Sequence, residues 1–585
     1  MIRIAVLAAA AAIALGACTS LPKSAPEPSP DPASARTLSL GQTVGYVDPD
    51  YGAQVWRGLP FARPPVGDLR WRAPRDPEAW SGQRLALKSS ERCPQMLSAL
   101  DGVPAKRHGE IVGSEDCLYL DVYAPAMSPE AARNARLPVM VWIHGGGNTW
   151  GRADQYNAAA MAARRKVVVV VIQYRLGALG WFAHDALRRS AAEPLDGSAN
   201  FGTLDQIRAL HWVRDEIAAF GGDPGLVTVF GESAGGHNVA ALLASPLARG
   251  LFQRAIIQSG SFRTETLAAA EGASGDNPNA AVPVARRIVG DGGAISAEAL
   301  RAAPLQAVLG AYSKRRGDYD PPRVIADGVV IPEGGILQAL GSPDYRPVPL
   351  MIGSNRDEVK LFNALNPELV DFVLGRLPRA RDPALYEAMS AYPSRMWRAN
   401  SVDRPAAMLT SLGRGPVYAY RFDWDEAGKV LTSDLSKLLG AGHSIEIPFV
   451  FGHFHFLGAF DRFVFTKANA PGRLELSGAM MDYWTQFART GAPGRGAEGR
   501  LPEWTAVPAQ AGQPRVMILD SAAGGGLRMS ADTEDAGLIL RQALADPAIR
   551  DQSQRCALVG RLLRERPDLV SEAGVCASAA PAAAD

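Results

Sequence analysis

An α/β fold with a large, mostly parallel central sheet flanked by helices is predicted by three features of the 585-residue chain. Continuous apolar runs at 138–143 (PVMVWI) and 166–172 (KVVVVVI) read as strands buried on both faces, as parallel strands are. Helical apolar spacing at 200–220 stands between such runs, and strands alternating with helices imply parallel pairing. The apolar fraction of 47% and charged fraction of 21% are those of a globular protein. With 61 basic and 60 acidic residues the net charge is +1, which supplies no excess charge for a nucleic-acid partner.

In chain order, residues 1–18 (MIRIAVLAAAAAIALGAC) place Arg3 before an apolar run from Ile4 to Leu15. That run is shorter than the ~20 residues a spanning helix needs and fits an export signal. Leu15-Gly16-Ala17-Cys18 resembles a bacterial lipobox, so Cys18 is expected to be acylated and to anchor the chain on a membrane. Thr19 after the cysteine suggests the outer membrane, with the folded part in the periplasm or at the cell surface. Residues 19–36 are rich in Pro, Ser and Ala and read as a flexible tether.

Residues 37–545 are expected to form one domain. Further strands are predicted at 226–230, 252–258, 349–352, Val417–Phe422 and 515–519, and helices at Ala234–Ala244 and 474–489. Residues 263–345 and 359–415 lack strong strand runs and read as helical excursions. Residues 546–585 are a short appendage ending in an Ala-rich tail. With Cys18 assigned to lipid, Cys93, Cys117, Cys556 and Cys576 remain, an even number for an exported chain. Of the three pairings possible, the local one, Cys93–Cys117 and Cys556–Cys576, closes two short loops and is preferred, at roughly 3 kcal/mol each.

Gly231-Glu232-Ser233-Ala234-Gly235 lies directly between a predicted strand and a predicted helix. A GxSxG in that context is a nucleophile turn: small neighbours permit a sharp bend that exposes the serine oxygen at the carboxyl edge of the sheet. His144-Gly145-Gly146-Gly147 follows the 138–143 strand. Its glycines let the N–H groups of Gly146 and Gly147 converge with that of Ala234 on one oxyanion. His144 is expected to hold backbone groups of that loop. With the chain order Ser, acid, His, the base must come from His443, His453 or His455. His443 sits in a small-residue loop after the Val417–Phe422 strand, where that order requires it. His237, four residues after the serine, reads as a supporting residue, and the His453/His455 pair as structural rather than metal-binding. The acid belongs on the loop after the 349–352 strand, where Asp357 and Glu358 both qualify; the other is then expected to be a solvated surface charge. Trp150, Trp181, Phe362, Phe454 and Phe456 could line an apolar gorge, although aromatic side chains more often belong to a core.

Together these segments resemble the type-B carboxylesterase family of the α/β-hydrolase superfamily, which includes cholinesterases, liver-type carboxylesterases and bacterial p-nitrobenzyl esterases. The resemblance runs through YGAQVWRGLPFARPPVGDLRWRA (51–73), SEDCLYLDVY (114–123), the HGGG loop, YRLGALGWF (174–182), FGGDPGLVTVFGESAGG (220–236), QSGS (258–261), GSNRDE (353–358) and HSIEIPFVFG (443–452). It implies Ser233 as nucleophile, Glu358 rather than Asp357 as acid, His443 as base, and Gly146, Gly147 and Ala234 as the oxyanion hole. It also implies a Cys93–Cys117 pair and buried supporting roles for Glu232 and Ser259. Val359-Lys360-Leu361 replace the small residues usual after the acid, which changes the lining beside the site, and the Cys556–Cys576 appendage lies outside the family pattern.

The expected activity is hydrolysis of small carboxylic esters through an acyl-enzyme, with no cofactor and no metal. The alternatives are hydrolysis of another acyl bond (amide, lactone or thioester), or a non-catalytic binding protein on the same fold. The latter typically loses the nucleophile, which this chain retains.

Overall fold

The computed structural model describes residues 27–98, 101, 103, 105–272, 277–290, 292–312, 323–373, 377–431, 433–510 and 512–579. The export signal, Cys18, the start of the tether and the end of the Ala-rich tail lie outside the described residues. The chain divides into two compact units. Among the described residues, one holds 27–97 together with His108–Pro349; the other holds those of Ser98–Arg107 and those from Leu350 on. The division therefore falls at Leu350 and not near residue 545, and the appendage shares a unit with the segments around Glu358 and His443.

The first unit contains strands β1 (Tyr46–Val47), β2 (Ala53–Pro60), β3 (Tyr119–Pro125), β4 (Leu137–Ile143), β5 (Val168–Ile172), β6 (Gly222–Glu232) and β7 (Arg254–Gln258), in the spatial order β7-β6-β4-β5-β3-β2-β1. β5, β4, β6 and β7 are mutually parallel. All five residues of β5 are buried, as its continuous valine run predicts. β3, β2 and β1 add antiparallel strands at one side, a departure from an all-parallel array. β2 escapes strand patterning because its pairing with β3 shifts register between Trp56 and Leu59, and a bulge interrupts the two-residue alternation. The helices that matter for the site are α1 (Phe201–Glu216) and α2 (Ala234–Ala244).

Two features sharpen the sequence reading. Cys93 and Cys117 are bonded, and in the loop they close, the Gln95 amide donates to the Gly151 carbonyl (2.9 Å) and accepts from its N–H (3.0 Å). The flexible tether ends earlier than residue 36, because Asp31 caps a short turn, Pro32–Ser34, that packs on the unit. Ser34 and Arg36 are buried, and Arg36 donates to Gln54 (2.8 Å) and to the Met127 carbonyl (3.0 Å) while lying over the Trp56 ring. Deleting residues 1–30 is therefore expected to leave the melting temperature unchanged. Deleting 1–36 should lower it, since Trp56 Nε1 also loses its acceptor, the Ser34 carbonyl. Thermal denaturation of the two truncated chains checks this.

The second unit contains β8 (Leu350–Asn355), β9 (Val417–Phe422), β10 (Val516–Leu519) and β11 (Arg528–Ser530) in that spatial order, parallel except for the last pair. Its helices include α3 (Lys360–Asn363), α4 (Pro383–Arg398), α5 (Leu435–Leu439), α6 (Ala470–Thr490), α7 (Ala536–Ala545) and α8 (Gln552–Glu565). The 359–415 stretch is helical apart from a hairpin, Val370–Val373 with Leu377–Ala380. Cys556 and Cys576 are bonded. No described helix is long and apolar enough to cross a membrane.

Candidate active site

The strand–turn–helix around Ser233, the expected nucleophile, forms in the first unit. Ser233 takes φ 57° and ψ −122°, a left-handed conformation rare for a non-glycine residue and concentrated at functional turns. The turn is held from both sides: the Ser233 N–H donates to the Gln258 carbonyl and the Ser233 carbonyl accepts from the His237 N–H, both at 2.9 Å. Ser233 and Ala234 are half-buried, whereas Gly235 and most of α2 behind them are buried. α2 approaches β4 so closely that a Cβ on Gly235 would overlap the Ile143 carbonyl oxygen. Gly235→Ala should accordingly cost at least the ~1–3 kcal/mol typical of overpacking, because the obstacle is backbone and cannot rotate away; urea unfolding of the variant measures it.

The glycine loop follows β4. Gly146 has φ 97°, and its carbonyl accepts the N–H groups of Thr149 (3.0 Å) and Trp150 (3.1 Å), which curls the loop. His144, 1% exposed, donates Nδ1–H to the Gly145 carbonyl at 2.9 Å and stacks on Tyr174 with 4.5 Å between centroids. The Tyr174 hydroxyl donates to the His144 carbonyl (2.6 Å), and the Asn238 amide on α2 donates to Asn148 (2.9 Å). Asp205 on α1 supports the segment beyond Tyr174 through a buried pair with Arg175. Glu232 is buried against the loop: a Cβ on Gly145 would meet its Oε2 at 2.9 Å. Ser259 is fully buried with φ 48°, and its hydroxyl has no hydrogen-bond partner among the described residues.

Burial lowers the pKa of His144 to about 4, and burial together with the charge of Arg323 does the same for His237, whose Nδ1 lies 3.0 Å from the Ser261 carbonyl. Neither imidazole is charged at neutral pH. Between the ordinary value of 6.5 and about 4, the unfolded chain takes up protons that these two folded-state rings refuse. Stability should therefore fall as pH drops through that interval, by on the order of 3 kcal/mol per ring when complete. Urea midpoints between pH 7 and 4 test the slope.

Glu358 and His443, the expected acid and base, lie in the second unit. Glu358, fully buried, is on the turn after β8; its Oε2 sits 2.5 Å from His443 Nδ1 and its Oε1 accepts the Asn355 N–H at 2.8 Å. A hydrogen bond from Nδ1 to that carboxylate oxygen requires the tautomer with the proton on Nδ1, which leaves Nε2 as an acceptor. Asn355 also donates to the Gly442 carbonyl and to Glu446, both at 2.7 Å, tying the histidine loop to β8. The His443 ring, 4% exposed, lies 5.4 Å from the Phe362 ring and 5.0 Å from that of Trp397.

Asp357 is not a solvated surface charge. It is 5% exposed, and its carboxylate accepts from Arg356 (2.8 Å), Lys360 (3.1 Å) and the Ala441 N–H (3.0 Å). Burial alone would raise its pKa, but the Arg356 and Lys360 charges and these bonds hold it below the ordinary carboxylate value. Lys360 reaches Glu387 as well (3.0 Å), so this departure from the family pattern braces the loop by ion pairing. Trp181 is fully buried against Tyr174 and is core, and part-buried Phe454 packs among Phe449, Phe465 and Arg473. His453 and His455 face each other at 5.2 Å; among the described residues there is no group of three or more His, Cys, Asp or Glu able to hold a metal. Asn355 and Glu446 lay within the quoted GSNRDE and HSIEIPFVFG stretches but were not singled out; Trp397 carried no signal at all.

Comparison with known proteins places these parts in context. The carboxylesterase family matches residues 33–374 and 363–525. A human cocaine esterase is 34% identical over 513 residues, covering 80% of this chain and 85% of its own length. The para-nitrobenzyl esterase of Bacillus subtilis is 33% identical over 480 residues, covering 78% and 90%. A solved PNB esterase structure superposes with a TM-score of 0.65 at 30% identity, over 85% of this chain and 97% of the other. The chain therefore belongs to the carboxylesterase family: it has the α/β-hydrolase fold and is a carboxylic-ester hydrolase.

Proposed function

We propose that the chain cleaves esters through an acyl-enzyme formed on Ser233. His443 Nε2 takes the serine proton, Glu358 holds the imidazole in that tautomer and stabilises its charged form, and the N–H groups of Gly146, Gly147 and Ala234 receive the oxyanion. The ester alcohol leaves with the proton from His443. Water, deprotonated by the same nitrogen, then releases the acid. The observation that carries this reading is the buried Glu358–His443 contact, which favours Glu358 over its neighbour Asp357 as the acid. The name of the para-nitrobenzyl esterase relative suggests nitrobenzyl esters as first substrates. With p-nitrophenyl acetate, rapid mixing should release a burst of about one p-nitrophenol per chain before the steady state. A linear course, with no acylated chain by mass, would contradict the acyl-enzyme.

We also propose that the domain stands on a membrane through an acylated Cys18, with residues 19–30 as spacer. Detergent partitioning lost in Cys18→Ser supports this; a mature chain without lipid contradicts it.

A further inference from the structure

Helix α4 presents two stripes. Tyr386, Ser390, Ser394 and Trp397, spaced by three to four residues, lie on one face. The Tyr386 hydroxyl donates to the Leu438 carbonyl at the end of α5 (2.6 Å), just ahead of the histidine loop. Ser390 accepts from Asn363 (2.9 Å), and Ser394 accepts from the Val359 N–H (3.0 Å), the residue after the acid. Trp397 packs against the His443 ring. One helix face thus touches the turn that carries Glu358 and the segment that carries His443.

The other face is apolar. Leu385, Ala388, Met389, Tyr392 and Met396 belong to a buried cluster with Ile539 and Leu540 of α7 and Leu558, Val559 and Leu562 of α8. Polar ties flank it: Arg395 to Glu534 (3.0 Å), Tyr392 to Asp546 (2.8 Å) and Arg398 to the Asp532 carbonyl (2.6 Å). Beyond Trp397 the helix widens into a π turn, Ala399–Asp403, a distortion found mostly at functional positions. The family match ends at residue 525, so α7 and α8, with the Cys556–Cys576 bond, lie beyond the matched segment.

We propose that residues 536–579 are a brace that acts through α4 to position the acid–base pair, with Trp397 the positioning residue that fixes the tilt of the His443 ring. The proposal rests on His443 being the base. A proton acceptor must be held within ~10–20° of its productive orientation. The Glu358 bond fixes Nδ1, and the Trp397 and Phe362 rings packed against the imidazole restrain its rotation about that bond.

The test uses the full chain, Trp397→Ala, Trp397→Phe and a chain ending at Thr533, with p-nitrophenyl acetate. Trp397→Ala is expected to lower kcat about tenfold or more, change KM by less than about threefold, and displace the acid limb of the pH profile by about half a unit. Trp397→Phe should recover kcat to within about threefold, since a smaller ring still covers the imidazole. The chain without the brace should repeat the Trp397→Ala pattern if it melts cooperatively; if it does not fold, the Trp397 pair decides. Wild-type kcat and pH profile in Trp397→Ala, no recovery in Trp397→Phe, or full activity in a folded shortened chain each overturn the proposal. Activity surviving in His443→Ala is a separate outcome that removes the base assignment on which the proposal stands.

Discussion

Ser233→Ala yields a folded protein whose kcat has fallen by roughly four to six decades, because nucleophile, base and acid act as a unit. The fold should be indifferent to the change. Ser233 is half-buried, the groups that hold its turn are backbone, and alanine meets the same left-handed φ that serine already tolerates. The residual rate should come from the oxyanion donors and substrate binding, which the substitution leaves in place. The measurement pairs kcat with a thermal melt. An unchanged melt with activity within about tenfold of the parent would contradict the assignment.

Glu358 and Asp357, adjacent in sequence, should fail in opposite ways. Glu358→Gln keeps volume and can still accept the Asn355 N–H, so stability should change little. Its amide, however, donates toward Nδ1 and drives the imidazole into the tautomer that cannot accept the serine proton, at a cost of roughly three to four decades in kcat. Asp357→Asn removes the carboxylate that Lys360 and Arg356 share and leaves them Glu387 and Asp425, so the loss should be on the order of 1–3 kcal/mol. Activity per folded molecule should stay within a few-fold, because Asp357 holds the Ala441 backbone and not the imidazole. The pH dependence follows. The folded-state pKa of Asp357 lies below the ordinary 3.8, so its stabilisation is present above that value and disappears as pH falls through the lowered one. Asp357→Asn should show no such acid loss. Urea melts and kcat for both variants decide the matter, and the reverse ranking in kcat would shift the acid by one position.

What the sequence made legible was whatever repeats locally. The valine run of β5, the small-residue helix Ala234–Ala244 and the strand Val417–Phe422 carry their periodicity on their face, and the last two have the predicted bounds. β2 did not, because its bulge breaks the alternation on which strand reading depends. The candidate site divides in the same way. Ser233 and the glycine loop are contiguous motifs. The character of Asp357 is not, since whether a carboxylate faces water or Arg356 and Lys360 depends on the turn around it. Trp181 and Phe454 stay ambiguous in sequence for a related reason: an aromatic side chain looks the same whether it lines a cavity or fills a core. Trp397 is invisible from motifs because its contact with His443 joins segments 46 residues apart through a helix that has to be built first.

The most direct test of the central claim is to treat the protein with a fluorophosphonate and map the adduct by peptide mass while following activity. One adduct per chain, on Ser233, appearing in proportion to lost activity and absent in Ser233→Ala, is the predicted result. Complete inhibition with Ser233 unmodified, or an adduct on another residue that tracks the loss, would contradict it.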